Sequence, residues 1–433
     1  MGGIHPHDMK HLAKDRGITN AIIPPLSVIP MSQHIGSPAE CLVSKGDEVT
    51  EEMLIGKSTG FISANIHSPV PGTVSSVEEI ILPNGVAAQA VKIELKGEFN
   101  RLKNDHERRS WKDLGKDELL QTIADKGIVG LGGATFPTNV KFTIPRGKHA
   151  DYFVVNGVEC EPYLTADYRL MLEKTDEIFA GIQIVEKILE PKQIYIGIEI
   201  NKPDVIDIMR KKAEEVDCNI EIVPLKIKYP QGDEKQLLKA ILDMEVPSGG
   251  LPIDIGAVVS NVGTIFAIYE AVEFSKPLIE RIVTVSGKAV KQPGNFKVRI
   301  GTTVGNLIEE CGGLVKEPEK LVMGGPMMGF AVCNLETPVT KGTSGILALT
   351  PRECRRSSRT ACIQCGRCIE VCPIGLQPTK LFKNIEHMEY ETALDIGLMD
   401  CKECGCCGYI CPANLPLVQS MRLGKAMAKK RKK

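Results

Sequence analysis

"CKECGCCGYICP", residues 401–412, places five cysteines in twelve positions, and its spacing decides how the last part of the chain folds. Cys401, Cys404, Cys407 and Cys411 stand in C-x2-C-x2-C-x3-C-P order, with Cys406 off register. The same order occurs upstream in "CIQCGRCIEVCP", residues 362–373, at Cys362, Cys365, Cys368 and Cys372. In such a run three close thiolates wrap one face of a cubane iron-sulfur cluster, and the proline after the fourth cysteine turns the chain away. C-x2-C pairs also serve tetrahedral zinc, but structural zinc sites rarely use the triple spacing closed by Cys-Pro. Two [4Fe-4S] clusters are therefore expected.

The doubled run resembles two-cluster ferredoxins, in which the remote fourth cysteine of each run ligates the other run's cluster. That resemblance implies one cluster on Cys362, Cys365, Cys368 and Cys411, and the other on Cys401, Cys404, Cys407 and Cys372. Cys354 and Cys406 fall outside the scheme, Cys406 as a packed thiol. Ten of the 15 cysteines lie between residues 354 and 411. No apolar h-region opens the chain, so a reducing, cytoplasmic setting is expected, where such a cluster reads as metal binding rather than as disulfides.

Outward from the cysteines, 433 residues exceed what one hydrophobic core organises, so several domains are expected. With 53 Lys+Arg against 54 Asp+Glu, no global charge recommends nucleic acid as a partner. The most apolar stretch, "IGAVVSNVGTIFAIY" at 255–269, is too short for a spanning helix and is flanked by Asp254 and Glu270. The chain closes on "RLGKAMAKKRKK", a basic tail that reads as a solvated terminus or as a contact to anionic lipid or an acidic partner.

From Pro25 to about residue 95, short β-rich runs are broken every eight to twelve residues by Gly, Pro and Asn, an all-β pattern. The order "V.KGDEV…IG.S.GF…I.SPVPGTV" resembles the barrel-sandwich modules of biotinyl and lipoyl carriers. The tip reads "TGFISANIHSP" without a modifiable lysine, so the module is expected to be structural, with His67 in a turn. Residues 96–127 read as a charged linker and helix. Strand and helix patterns then alternate to about 275, with β runs at 152–159 and 193–200. The segment 281–332 reads as two strands, a helix at 303–311 and a further strand, an order that resembles the β-grasp fold of SLBB domains. Its "GGPMMG", with Met327 and Met328, reads as a tight packed loop.

"GIVGLGGATFPTNVKF", 127–142, sets glycines ahead of a short helical run; it is neither a Walker loop nor a G-x-G-x-x-G fingerprint, and by spacing alone is a turn. It is followed by "VVNGVECEPYLTADYRLM" at 154–171, "YPQGDEKQLLKAI" at 229–241 and "VVSNVGTIFAI" at 258–268. In this order the four stretches resemble the flavin-binding subunit of respiratory complex I. Together with "GGIHPHDMK", "IPMSQHIGSPAECLV" and the closing "CPANLPLV", the chain is similar over nearly its whole length to the C subunits of Rnf complexes.

This resemblance implies FMN and NAD(H) binding. Gly130, Gly132 and Gly133 would let the backbone approach the flavin, with Lys141 near its phosphate or ring. Asn156, Glu159 and Glu161 match the polar turn that contacts FMN or nicotinamide, the two glutamates as candidate catalytic groups. Tyr229, Asp233 and Glu234 match a Tyr-x-x-Gly-Glu-Glu loop, and Ser260 and Asn261 an Asn-Asn pair. The chain departs from complex I at Leu131, Val158, Asp233 and Ser260.

The fold implied is multidomain α/β and α+β. It comprises an N-terminal segment and barrel-sandwich module (1–100), a Rossmann-like FMN/NAD domain (101–275), a β-grasp domain (276–346) and a helical two-[4Fe-4S] ferredoxin-like domain with the basic tail (347–433). The activity implied is that of a peripheral oxidoreductase subunit on the cytoplasmic face of a membrane. It would exchange hydride between NAD(H) and FMN, and single electrons between FMN, two [4Fe-4S] clusters and partner subunits. The complex couples ferredoxin and NAD chemistry to Na+ or H+ transport, so ferredoxin is an indirect partner. The alternatives are an iron-sulfur relay without NADH-oxidising activity and a relative serving a soluble reductase.

Overall fold

The structure, a computed structural model, describes residues 2–99, 108–354 and 358–431. Residues 100–107 of the expected linker and the last two lysines of the tail lie outside them. An early strand, β1 (Ile18–Asn20), is taken up by a distant sheet through parallel pairing with residues 295–297. The barrel-sandwich module follows, with β2 (Leu26–Pro30), β3 (Glu40–Cys41), β4 (Glu48–Val49), β5 (Leu54–Lys57), β6 (Ile66–His67), β7 (Gly72–Ile81) and β8 (Ala87–Leu95). They form two sheets, β2-β8-β7-β4 and β3-β5-β6. Ile29, Ile55, Ile66, Val74, Val91 and Ile93 fill the space between them. His67 lies not in a turn but in β6, where burial first, then the charges of Lys341 and Lys126, pushes its imidazole down to about 3.

The central domain contains α1 (Lys116–Asp125), α2 (Thr138–Phe142), β9 (Tyr152–Asn156), α3 (Ala166–Glu173), α4 (Thr175–Leu189), β10 (Gln193–Glu199), α5 (Pro203–Glu215), β11 (Ile220–Leu225), α6 (Glu234–Leu242), β12 (Ala257–Asn261) and α7 (Val262–Phe274). Its four strands are parallel in the order β11-β10-β9-β12. Helices on both faces explain the near-continuous apolar runs, with Phe153, Val154, Val155, Ile196 and Ile198 all fully buried. The apolar stretch 255–269 is divided between β12 and α7, and no described helix is long and apolar enough to cross a membrane. From β9 the chain winds outward through β10 to β11, then returns to the other side of β9 as β12. The winding reverses between β9 and β12, which leaves a crevice beyond their carboxyl ends.

The third sheet gathers β13 (Glu280–Ser286), β14 (Gly294–Arg299), β15 (Lys320–Met323), β16 (Phe330–Val332) and β17 (Gly345–Leu349) with β1, in the order β1-β14-β13-β17-β15-β16. The expected helix is α8 (Val304–Glu310), whose N-cap Thr303 accepts the Asn306 amide. This sheet runs to Leu349, past the boundary expected at 346. The last domain is helical: α9 (Arg367–Glu370), α10 (Pro378–Glu386), α11 (Tyr390–Asp395), α12 (Cys406–Ile410) and α13 (Leu417–Arg431). Leu381, Phe382, Ile385, Leu398, Leu417 and Met421 form its core together with Cys368 and Cys411.

The first residues act as a strap between domains. The Gly3 amide donates to Val371 O at 2.8 Å, and Ile4 and Tyr229 exchange backbone hydrogen bonds of 2.8 and 2.9 Å. A side chain at Gly2 would stand 2.4 Å from the Cys372 carbonyl oxygen, so only glycine lets the strap lie against the cysteine run.

Candidate flavin crevice and cluster cavities

Four separate stretches of sequence meet at the carboxyl edge of the parallel sheet. Gly130 is fixed by its amide's bond to Phe136 O, 2.8 Å, and Leu131 by its amide's bond to Thr264 Oγ1, 2.8 Å. Gly132 lies against Asn261: a Cβ there would be 3.3 Å from the Asn261 Cβ. Gly133 has φ +104°, and nothing lies within 4 Å of the place its Cβ would occupy. Asn261 ends β12 and caps α7, accepting the Gly263 amide at 2.9 Å while its Nδ2 donates to Asp167 Oδ2 at 2.7 Å. Asn156 ends the neighbouring β9 and donates to Gly232 O at 2.9 Å, which ties the strand to the "YPQGDE" loop. Lys141 donates to Val259 O and to Glu234 Oε1, both at 3.0 Å, and so links α2 to β12 and α6. Ser260 is buried beside Val155 in the ladder.

The other expected residues are bonded to partners within the protein. Glu159, at φ 47°, accepts the Asp167 amide at 2.7 Å and lies 3.6 Å from the buried ammonium of Lys10. Lys10 also donates to the carbonyls of Glu159, Glu161 and Leu164. Glu161 accepts the amides of Met327 and Met328 at 3.0 and 2.9 Å; burial pushes its carboxyl up to about 7 against the pull of those amides and of Lys10. Tyr229 is 2% exposed and donates to the Cys404 carbonyl at 2.7 Å; burial pushes its phenol up. Asp233 is the N-cap of α6, with Oδ1 accepting the amides of Lys235 and Gln236, each at 3.2 Å.

Sequence reasoning missed Lys10, Asp167, Arg281 and Lys341. Asp167 sits beneath Asn261, where burial and the Glu159 charge raise its carboxyl. Arg281 donates to the Lys341 carbonyl from a buried position beside Leu131. A charged residue in the sequence looks solvated until the fold buries it, so no local signal marked these four.

Cys372, Cys401, Cys404, Cys406 and Cys407 line one open-sided cavity, otherwise walled by Lys402, Glu403 and a largely apolar set that includes Ile374, Leu376, Leu381, Val418 and Met421. Among the described residues no three Cys, His, Asp or Glu side chains converge as ligands of a single ion; the thiols stand around the cavity instead. Cys362 packs into the same core as Cys368 and Cys411, and Cys365 is exposed. Cys406 is fully buried, its thiol 3.8 Å from Tyr229 O in a cluster with Ile4 and Cys404. The donor set fits a cubane cluster: the four in-register cysteines line an apolar socket together with Cys406, whose thiol is directed to Tyr229 O. The crevice fits a phosphorylated flavin: open backbone at Gly133, the N-terminus of a 13-residue helix at Asn261, and a lysine beside it.

A parallel sheet with a glycine loop at its switch point, a β-grasp sheet and a two-run cysteine domain together define the subunit of an electron-transfer flavoprotein. Comparisons agree domain by domain. The RnfC barrel sandwich hybrid domain matches residues 1–98, the Nuo51 FMN-binding domain 123–270, the SLBB domain 282–331 and the 4Fe-4S dicluster domain 361–415. The chain belongs to the RnfC family.

It is 48% identical over 380 residues to the RnfC protein of the proton-translocating ferredoxin:NAD(+) oxidoreductase complex of Clostridium ljungdahlii, covering 88% of this chain and 83% of that one. To its counterpart in the ion-translocating oxidoreductase complex of Rhodobacter capsulatus it is 42% identical, covering 99% and 83%. To the counterpart in the Na(+)-translocating ferredoxin:NAD(+) oxidoreductase complex of Acetobacterium woodii it is 41% identical, covering 98% and 96%. Among solved structures, NAD+-reducing [NiFe]-hydrogenase in its air-oxidised state aligns with TM-score 0.50 at 18% identity, and in its H2-reduced state with 0.52 at 16%. These alignments cover 74% and 71% of this chain but 55% and 61% of those chains, and the likeness is one of fold alone.

Proposed function

We propose that the chain is the NAD(H)-reactive electron-transfer subunit of a membrane complex that couples ferredoxin and NAD redox chemistry to Na+ or H+ transport. It sits peripherally on the cytoplasmic face. FMN supplies the conversion between the two-electron hydride chemistry of nicotinamide and the one-electron chemistry of the clusters. For the chain's own part, Gly130, Gly132 and Gly133 keep the backbone free of side chains where the flavin approaches. Asn261 and the first amides of α7, with Ser260 and Lys141, would hold its phosphate end. Asn156, Tyr229, Asp233 and Glu234 fix the "YPQGDE" loop against the crevice, and Lys141 is held to Glu234. We assign Glu159 and Glu161 to holding the turn under the crevice, because their carboxylates are already bonded to Asp167, Lys10 and the Met327 and Met328 amides.

For the clusters we propose crossed ligation, with Cys372, Cys401, Cys404 and Cys407 on one and Cys362, Cys365, Cys368 and Cys411 on the other. The first four line one cavity, which supports it; Cys406 lines it too, but its thiol is engaged with Tyr229 O. The run at 401–407 lies against Tyr229 and Met327, whereas Ile363, Gln364, Cys365 and Arg367 are exposed. The first cluster therefore faces the flavin domain and the second faces a protein partner. One observation carries the reading. Asn156 at the crevice bonds Gly232, and Tyr229 in the same loop bonds the carbonyl of Cys404, so flavin loop and cluster loop are parts of one hydrogen-bonded unit. The test is the visible spectrum of anaerobically purified chain before and after NADH. Flavin and cluster bands that both bleach are expected. A full complement of clusters with no flavin band and no bleaching would leave only the relay reading.

A further inference from the structure

The loop Gly324-Gly325-Pro326-Met327-Met328-Gly329 has no part in the hydride or electron steps above, yet it is wedged between the flavin and cluster domains. We infer that Glu161 is a positioning residue that acts through this loop, fixing the cluster loop of Cys401–Cys407 against the flavin domain.

On the flavin side, the Glu161 carboxylate accepts the two successive amides of Met327 and Met328 and lies 3.4 Å from the Tyr229 hydroxyl. Two amides donate to one buried carboxyl, each to a different oxygen, in a low-dielectric site where such bonds are stronger than in water. The approach is so close that a Cβ at Gly325 would lie 2.2 Å from Glu161 Oε2. It is thus the approach of Glu161, and not a left-handed backbone, that keeps a side chain out of position 325.

On the cluster side the fit is as tight. A Cβ at Gly405 would lie 2.9 Å from the Met327 carbonyl oxygen, and Gly405 also has φ +85°. Arg422 of α13 donates to Met328 O at 3.1 Å, stacks 4.6 Å over the Phe330 ring and binds Glu403 Oε2 at 3.1 Å. Lys425 completes the clamp, bonding Glu403 Oε1 at 2.8 Å and Cys401 O at 2.5 Å. The loop is therefore gripped at its Met327 and Met328 amides by the flavin domain and at its Met328 carbonyl by the cluster domain. Protein dipoles and charges so placed set the potential of a nearby cluster, and their spacing sets its distance from the flavin.

The inference rests on the flavin and cluster reading above, and its test fails separately. The whole chain, loaded with flavin and clusters, is compared with Glu161→Gln and Gly325→Ala. Glutamine offers one carbonyl oxygen to two amides and sets its own N–H2 against the other. Hydrogen exchange at the Met327 and Met328 amides is expected to speed up about tenfold or more in both variants. The midpoint potential of the Cys372/Cys401/Cys404/Cys407 cluster should shift while that of the other cluster stays. In Gly325→Ala, NADH should reduce the flavin at the wild-type rate while reduction of the clusters slows roughly tenfold. Unchanged exchange in both variants, or equal shifts of both potentials, overturns the assignment. If Glu161→Gln does not accumulate, Gly325→Ala carries the same readouts. Failure of NADH to reduce the wild-type flavin would instead refute the underlying reading.

Discussion

Replacing Lys341 by methionine should change how the stability of the flavin domain depends on pH. Lys341 is 1% exposed, and its ammonium donates to the carbonyls of Asn65 and Gly127, at 2.6 and 2.7 Å. It thereby joins the barrel-sandwich tip to the start of the glycine loop from a position in the β-grasp domain. Burial alone pulls its pKa from 10.5 down to about 7. A depressed lysine pKa means that the unfolded chain binds the proton more tightly than the folded one. Stability therefore rises with pH above about 7 and levels off near the ordinary lysine value. Each unit is worth about 1.4 kcal/mol and the first is only partly realised, so between roughly pH 7 and pH 9 the wild type should gain about 2 kcal/mol that Lys341→Met does not gain. The neighbouring His34 and His67, pushed down to about 4 and about 3, are neutral throughout and do not contribute. Trp111, the chain's single tryptophan, packs on the flavin-domain core and donates to Glu273, so its fluorescence reports this domain in anaerobic urea titrations. Parallel pH dependences in wild type and variant would refute the reasoning, because they would require Lys341 to stay charged in the folded state.

Substituting Cys411 by alanine should abolish the spectrum of the cluster on Cys362, Cys365 and Cys368, and Cys372→Ala that of the cluster on Cys401, Cys404 and Cys407. Cys406→Ala should spare both, and electron paramagnetic resonance of the reduced chain separates the outcomes. If Cys411→Ala disturbs only the 401–407 cluster, crossed ligation is wrong. Asn261→Ala removes the cap of α7 and the partner of Asp167, at a cost of about 1–2 kcal/mol. Bound FMN, measured after acid release, should fall in that variant while iron content holds; equal FMN content would remove Asn261 from the phosphate site.

The parts of the chain that are legible in its sequence are those whose chemistry is local. A C-x2-C-x2-C run needs only the reach of a few residues to place three thiolates, and it can be read without knowing what surrounds it. The β-rich module, the β-grasp order and the glycine loop are likewise carried by short-range pattern. His67 reads as a turn residue from its place in the tip "TGFISANIHSP", while the ladder with Leu54 that makes it part of β6 comes from across the sheet.

Residue identity alone marks Glu159, Glu161 and Tyr229 as polar and places them in stretches that resemble a flavin site. It does not say which way they point. Glu161 meets two amides that lie 166 and 167 residues further along, and Tyr229 meets a carbonyl 175 residues away. Lys10 looks like a surface lysine until the turn at Glu159–Leu164 closes over it, and Lys341 until the barrel-sandwich tip and the flavin domain do.

Consecutive residues were enough to settle the spacing of the cluster ligands, the order of the modules and the family, because ligand spacing and strand-helix pattern are short-range properties. Which cysteines share a cavity, where the sheet's winding reverses to leave a crevice, and that "GGPMMG" is a wedge rather than a mere turn emerged only once the chain was folded. Those outcomes depend on domain docking, where close contact between distant backbones selects glycine and buried charge must find its partners across the interface.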